Sequence, residues 1–359
     1  MAKKTVKFII GPLSSGHVQK WFENFTPKPD EMIYLFTIHK GVWDNSKGQF
    51  KIINCGKTRT RLDFVILYWA VFFFSRSLRP AVTSVHYLSS YGLSVRLLKS
   101  DKVLLSCWGS DVNAIRINLL SRAIYAPILE RAAWINAPSA SIKEKLLKMS
   151  GRISSNIIDV FQYGVKLQPA LCKEAGKKSP DCTKFVSNRH WSPHYNIDLI
   201  IQSFAFFVRD RNVSSQLYIY GKGSESDVAR INSLISSLDP QIRSKIVLRG
   251  FVDHYTLLNE MKDFDVFISI PKTDGLPLSL LEAMYIGLLP VVNALPVYEE
   301  WLSDSCGIIV KELTIENLAL ALARAHNSYL EMNLSTNREK VISRANFDQN
   351  TARFLENFA

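Results

Sequence analysis

Pro271-Lys-Thr-Asp-Gly-Leu-Pro-Leu-Ser-Leu-Leu-Glu-Ala-Met-Tyr-Ile-Gly-Leu-Leu-Pro-Val-Val292 follows directly on the apolar run Val266-Phe-Ile-Ser-Ile270. The run reads as a buried strand, the Gly/Pro segment after it as a turn, and the remainder as a helix that stops near Gly287. A helix entered this way offers an anion site, because its first N–H groups have no intrahelical partner and its dipole is positive at that end. Two acids make the site more specific. Asp274 sits in the turn and Glu282 in the first turns of the helix, with seven residues between them. One carboxylate is placed to reach a sugar over the turn and the other to accept hydrogen bonds from a ribose, with phosphates on the amides between. The plainer alternative is an ordinary α/β crossover, in which Ala283, Met284 and Ile286 are core and both acids are solvated.

This arrangement, with Glu-Ala-Met-x-x-Gly-x-x-Pro-Val-Val from Glu282 to Val292, resembles the E-x7-E signature of retaining glycosyltransferases of the GT-B fold, the glycosyltransferase family 4 type. The first Glu of that pattern is Asp274 here, a carboxylate one methylene shorter. The resemblance implies two Rossmann-like α/β domains facing a cleft. It is strong from Phe185 to Val310 and weak before Trp108.

The whole chain agrees with an α/β fold. Its 359 residues suffice for two domains with separate cores. Five scattered cysteines without metal-type spacing, and no signal peptide, lead to an expectation of a reducing cytoplasm. Charge is uneven: residues 1–170 hold 24 Lys and Arg against 10 Asp and Glu, a net +14, while residues 171–359 hold 20 against 22, a net −2. The basic half points to an anionic partner: lipid headgroups, a lipid diphosphate or nucleic acid.

Along the first half, Val6-Lys-Phe-Ile-Ile10 reads as a strand leading through Gly11-Pro-Leu-Ser-Ser-Gly-His17 into a helix over 18–25. That loop is not G-x-G-x-x-G, so a nicotinamide-type site is poorly supported. By resemblance Gly16 lies on the acceptor side and His17 near the acceptor or the donor phosphates. A partly exposed helix-start histidine is the equal alternative. Further strands are expected over 31–38, 50–54 and 82–86. Between Arg59 and Arg76 runs an apolar, aromatic-rich segment too short to span a bilayer. A buried helix is its default reading, and a helix at the headgroup level of an anionic membrane the other. His86 and Asp111 fall at strand ends, where parallel sheets bind ligands. His86 is placed on the acceptor side; Asp111 orients or deprotonates an acceptor hydroxyl, caps the next helix, or does both.

Tyr163-Gly-Val resembles the family's exit from its first domain, so the organisation expected is 1–166, 167–340, and a final helix over 341–359 packing back on the first domain. In the second domain Arg189, just after a strand, matches the family's diphosphate-clamping Arg. The lysine expected five or six residues later falls on His194 or Tyr195 and is missing; Lys222 in the next loop is a substitute. Gly221-Lys-Gly223 resembles the family's G-x-G element, and Phe251 or Val252 would meet the nucleobase. The donor set implied is Arg189, Tyr195, Gly221, Lys222, Phe251, Val252, Gly275, Leu276, Pro277, Leu278 and Glu282. Asp263-Phe-Asp265 matches a metal-binding D-x-D but reads as structural, closing a helix before a strand, and no metal is expected.

The function implied is transfer of a glycosyl group from a nucleotide-diphosphate sugar to an acceptor hydroxyl, with Asp274, Asp111 and His17 as catalytic candidates. No cofactor is implied beyond the donor. The expected partners are a lipid-linked or saccharide acceptor and the inner face of an anionic membrane, in bacterial surface polysaccharide assembly (O-antigen, capsule or lipopolysaccharide). Two alternatives stand beside it: a nucleotide-sugar epimerase or phosphorylase on the same fold, and a nucleic-acid-binding protein using the basic half. Against the second, no reading-helix motif or basic-aromatic binding sheet is present.

Overall fold

The computed structural model describes residues 4–13, 16–41, 43, 48–56, 58, 60–173, 182–209, 213–275 and 277–359, the side chains at positions 16 and 17 excepted. It divides into two compact units, residues 1–163 with 347–359, and residues 164–346.

The first unit is a seven-stranded sheet in the order β3-β2-β1-β4-β5-β6-β7, parallel throughout. Its elements are β1 (Thr5–Ile10), α1 (Gly16–Trp21), β2 (Glu31–Thr37), β3 (Phe50–Asn54), α2 (Leu62–Leu78), β4 (Val82–His86), β5 (Lys102–Ser106), α3 (Ser110–Asn113), α4 (Leu119–Arg131), β6 (Trp134–Ala137), α5 (Ala140–Met149) and β7 (Ile158–Val160). The apolar helix expected between Arg59 and Arg76 is α2, but it is not buried all round. Only Asp63, Leu67, Val71 and Ser75 are fully covered, because one helix on one sheet face has one side to bury.

The second unit holds β8 (Thr183–Ser187), α6 (Ile197–Arg209), β9 (Ser215–Tyr220), α7 (Glu225–Ser236), α8 (Pro240–Arg243), β10 (Ile246–Gly250), α9 (His254–Met261), β11 (Val266–Ser269), α10 (Leu278–Ile286), β12 (Leu289–Asn293), α11 (Pro296–Glu299), β13 (Ile308–Val310), α12 (Ile315–Ser328) and α13 (Leu334–Arg344). Its parallel sheet runs β10-β9-β8-β11-β12-β13. The order reverses between β8 and β11, and ligands of open α/β sheets bind beyond the carboxyl ends of the strands at such a reversal. All four residues of β11 are buried, as expected of a strand covered on both faces. On α6, Ile197, Ile200, Ile201, Phe204, Phe207 and Val208 keep helical spacing and fill the core against Phe185, Leu217 and Leu322.

The final helix expected over 341–359 begins later in the structure, and the residues before it close a separate helix. α13 ends at Arg344, and α14 (Phe347–Phe358) belongs to the first unit. The break lies where Val165 N–H donates to Ala345 O at 2.9 Å and Val165 bridges Asn346, so the chain entering the second unit pairs with the chain leaving it. Gly164 makes this approach possible. Its φ is +80°, and a Cβ there would lie 2.0 Å from Ala345 O. Within the first unit, α14 is locked down by aromatic stacking of Phe354 on Trp21, ring centroids 4.6 Å apart. Lys7 and Lys102 each donate to carbonyls at its end, Ala359 O and Asn357 O, both at 2.7 Å. Among the described residues no helix is long and apolar enough to cross a membrane.

Candidate active site

The turn after β11 is held by three side chains. Asn196 Nδ2 donates to Ile270 O and Asn293 Nδ2 to Pro271 O, each at 2.8 Å, and the His194 ring hydrogen-bonds Thr273 O at 2.9 Å. Lys272 N–H closes the brace on His194 O. His194 thereby shapes the turn through both its ring and its carbonyl. The turn delivers Asp274 and then α10, whose first N–H groups have no intrahelical acceptor.

Asp274 is surrounded by donors. Its Oδ2 accepts from Arg189 at 3.0 Å and from the Tyr298 hydroxyl at 2.9 Å, and its Oδ1 accepts from Gly275 N–H at 2.9 Å. The second nitrogen of the Arg189 fork donates to Ser279 Oγ in the first turn of α10. Tyr195, at the place of the missing lysine, packs its ring 4.7 Å from the Arg189 guanidinium carbon. An aromatic face thus supports the fork where a second cation was expected. Burial opposes the Arg189 charge, but Asp274, with Tyr298 and Tyr195, outweighs it and holds the group above its ordinary range. Burial, and then the Asp274 charge, push the Tyr298 hydroxyl up, so it stays a proton donor to that carboxylate.

Gly221 follows β9 with φ +121°, and a Cβ on it would lie 2.3 Å from Arg189 O. The G-x-G loop therefore packs against the backbone that carries Arg189. Trp191 ties the two loops further, its N–H donating to Lys222 O at 2.9 Å and its ring N–H to Tyr220 O at 3.2 Å. Lys222 lies 4.6 Å over the ring of Phe251, both exposed. Val252 is partly buried; Gly275 and Pro277 are buried beside the turn, and Leu278 opens α10. Glu282, in the next turn of α10, accepts from His254 Nε2 at 2.7 Å and is otherwise mostly covered. Leu276 and the His17 side chain lie outside the described residues, and Gly16 is the first residue of α1.

Two of the candidates in the first unit, His86 and Asp111, are enclosed. His86 is fully buried beside Gly11, Phe22, Trp108 and Phe354, and burial pushes its pKa down to about 3, so it is neutral. Asp111 is buried too, with Oδ2 accepting from Leu88 N–H and Oδ1 from Trp108 N–H. Those bonds tie the loop after β4 to the loop after β5, whereas the N-cap of α3 is Gly109. Burial raises the Asp111 pKa, and the backbone donors work against that rise. In Asp263-Phe-Asp265, Asp265 is fully buried and pairs with Lys173 at 3.1 Å while accepting from Lys184 N–H. Among the described residues no three His, Cys, Asp or Glu side chains are grouped to hold a metal.

Tyr298, Ser279 and His254 were not singled out in the sequence. The stretch holding Tyr298 reads as a loop, yet Pro296 opens the short helix α11 there and turns Tyr298 inward. Pro296 was the available signal for the helix; nothing local signals that the tyrosine meets Asp274.

Residues 173–346 match the family model described as Glycosyl transferases group 1. Solved structures similar over nearly their whole length include a glycosyltransferase from Rickettsia africae (TM-score 0.75, 14% identity, 98% of this chain and 97% of that one). Anabaena Alr3699/HepE in complex with UDP is similar at TM-score 0.73 and 11% identity, over 99% of both chains. The lipopolysaccharide outer core galactosyltransferase WaaB is similar at TM-score 0.70 and 15% identity, again over 99% of both. No curated protein sequence matches the chain. The second unit is thus a glycosyltransferase domain, and the two parallel α/β units have the GT-B fold.

Proposed function

We infer that this glycosyltransferase moves a sugar from a nucleoside-diphosphate donor, held by its second unit, to an acceptor hydroxyl recognised by its basic first unit. The observation that carries the reading is the Arg189 fork held between Asp274 and Ser279 at the start of α10, beyond the two strands where the sheet order reverses.

In the reaction the bond from the anomeric carbon to the diphosphate breaks and its electron pair goes to the leaving phosphate oxygen. Arg189, the N–H groups opening α10, and Lys222 meet the charge that develops there. These donors are the reason no metal is assigned to the step. Asp274, already oriented by Arg189 and Tyr298, positions the sugar, and Glu282 takes the ribose hydroxyls. The acceptor hydroxyl attacks on the face the diphosphate leaves, its proton passing to the departing oxygen, so configuration is retained. The E-x7-E resemblance supports retention, the UDP complex of HepE supports a nucleoside diphosphate, and WaaB supports a role in lipopolysaccharide or related surface polysaccharide assembly. The net +14 of residues 1–170 supports a lipid-linked diphosphate acceptor at an anionic cytoplasmic membrane surface.

A thermal-shift screen with UDP-, GDP-, ADP- and dTDP-sugars tests the reading. One nucleotide class should raise the unfolding midpoint of the wild type, and Arg189→Ala should abolish the rise. A wild type that no sugar nucleotide stabilises would overturn it. NMR of the product's anomeric proton tests retention.

A further inference from the structure

We propose that the outward face of α2 is a docking surface for the headgroup layer of an anionic membrane. Outward positions 62, 65, 66, 69 and 73 follow helical spacing and form one stripe along three turns. They are Leu62, Val65, Ile66, Trp69 and Phe73, without a polar residue among them. Trp69 is 55% exposed and Phe73 61%, and their rings stack on each other at 5.7 Å rather than on the core. Five large apolar side chains exposed side by side on one helix face form a contiguous patch of the kind that marks an interaction surface.

The charges around the stripe select the partner. The helix contains one acid, Asp63, and it is turned inward, accepting from Thr58 N–H at 2.9 Å and Thr58 Oγ at 2.8 Å. Cations stand at both ends. Arg61 precedes the first turn, Arg76 closes the last turn with its guanidinium 3.5 Å over the Phe72 ring, and Arg79 follows in the left-handed conformation. Lys99 joins that end, its N–H donating to Ser75 Oγ. An apolar, aromatic stripe between cations fits a layer with acyl chains below and phosphates at its rim, where tryptophan is at home and each Lys or Arg gains from anionic lipid. A second copy of this chain fits worse. Pairing α2 antiparallel sets Arg61 against Arg76 and Arg79, and pairing it parallel sets each arginine against itself. At seventeen residues α2 is too short to span a bilayer with ordinary thickness, so it lies in the surface rather than across it.

This rests on the reading of the first unit as the side that meets a lipid-linked acceptor, and the test keeps the two apart. The full chain is floated with vesicles of phosphatidylglycerol and phosphatidylcholine, and with phosphatidylcholine alone, while donor binding is titrated in solution. The wild type should float with the anionic vesicles and be released by high salt. The double variant Trp69→Ser, Phe73→Ser should lose about ten-fold or more of that binding with donor affinity unchanged. Should the double variant fail to fold, doxyl-labelled acyl chains in the anionic vesicles should quench wild-type fluorescence more than that of Trp69→Phe. Absence of wild-type binding, binding undiminished in the double variant, quenching equal to that of Trp69→Phe, or a wild-type dimer that the variant turns monomeric without any vesicle binding would each overturn the docking face. None of these touches the transferase reading, which fails only if donor binding fails.

Discussion

Arg189 and Asp274 are 85 positions apart in the chain and 3.0 Å apart in space. Each stands just past one of the two strands, β8 and β11, between which the second sheet reverses its order. The pairing is therefore a product of topology. Strands adjacent in the sheet place their following loops side by side, and a cation on one loop meets a carboxylate on the other. Because Tyr298 shares the same carboxylate oxygen, the aspartate is held in one orientation before any ligand arrives, and in the role proposed for it this would lower the ordering cost of the reaction.

Tyr298→Phe removes one of the two side-chain bonds on Asp274 Oδ2 while keeping the ring in the core. Loss of a bond of this kind is worth about 1 kcal/mol, so kcat should fall roughly five- to ten-fold with donor KM nearly unchanged. Asp274→Asn should lower kcat further, again more than it weakens donor binding. Steady-state kinetics of both variants check this; unchanged turnover in Asp274→Asn removes the residue from the mechanism.

Gly221→Ala forces a Cβ to within 2.3 Å of Arg189 O at a φ of +121° that side chains rarely adopt. The loop must move and take Arg189 with it. Stability should drop by about 2 kcal/mol or more, and donor affinity at least ten-fold. Urea unfolding and calorimetric titration measure the two effects; an intact donor Kd would mean that the G-x-G loop does not set the position of the arginine.

His86 makes folding sensitive to acid. Its pKa is pushed down to about 3 in the fold against an ordinary value of about 6.5, so between these values the unfolded chain binds a proton that the folded chain does not. Stability contributed this way is full above the unfolded pKa and falls as pH drops, by about 1.4 kcal/mol per pH unit. In His86→Gln the stability-against-pH curve should be flatter than the wild type between pH 6 and 4 by about that slope. Parallel curves would show that His86 becomes protonated without unfolding.

Phe354→Ala opens a cavity where the ring stacks on Trp21 and meets Phe22 edge-on. The expected cost is about 3 to 5 kcal/mol, confined to the first unit. Hydrogen exchange should quicken in β1 and β4 and stay unchanged in β8 and β11. Equal acceleration in both units would mean that they unfold as one.

The parts of the fold legible in sequence were those with local causes. Apolar runs such as Val266-Phe-Ile-Ser-Ile270 and glycine helix stops such as Gly287 depend on neighbours within four residues, and they locate strands and helix ends. Asp274 and Glu282 could be singled out because one lies in the turn after such a strand and the other in the helix that the turn opens, whereas Arg189 was singled out by its resemblance to the family's diphosphate-clamping Arg. What stayed hidden is set by distance in the chain. That Tyr298 would meet Asp274, that His254 would meet Glu282, and that Asp111 would bond the backbone of Leu88 all depend on which loops the sheet makes neighbours. The outward stripe of α2 was hidden for a different reason. A segment apolar nearly all round carries no periodic mark of which side meets the sheet, so a buried helix and a helix at the headgroup level of a membrane both fit its composition.

The paired crossing at Val165 and Asn346 has a consequence for how the protein is made. The first unit is translated in two instalments, its sheet early and α14 only after every residue of the second unit has been added. A nascent chain paused after Asn346 already contains the whole second unit, whereas Trp21 and Phe22 still lack the rings of Phe354 and Phe358. The second unit can therefore mature first, and the basic unit seals last.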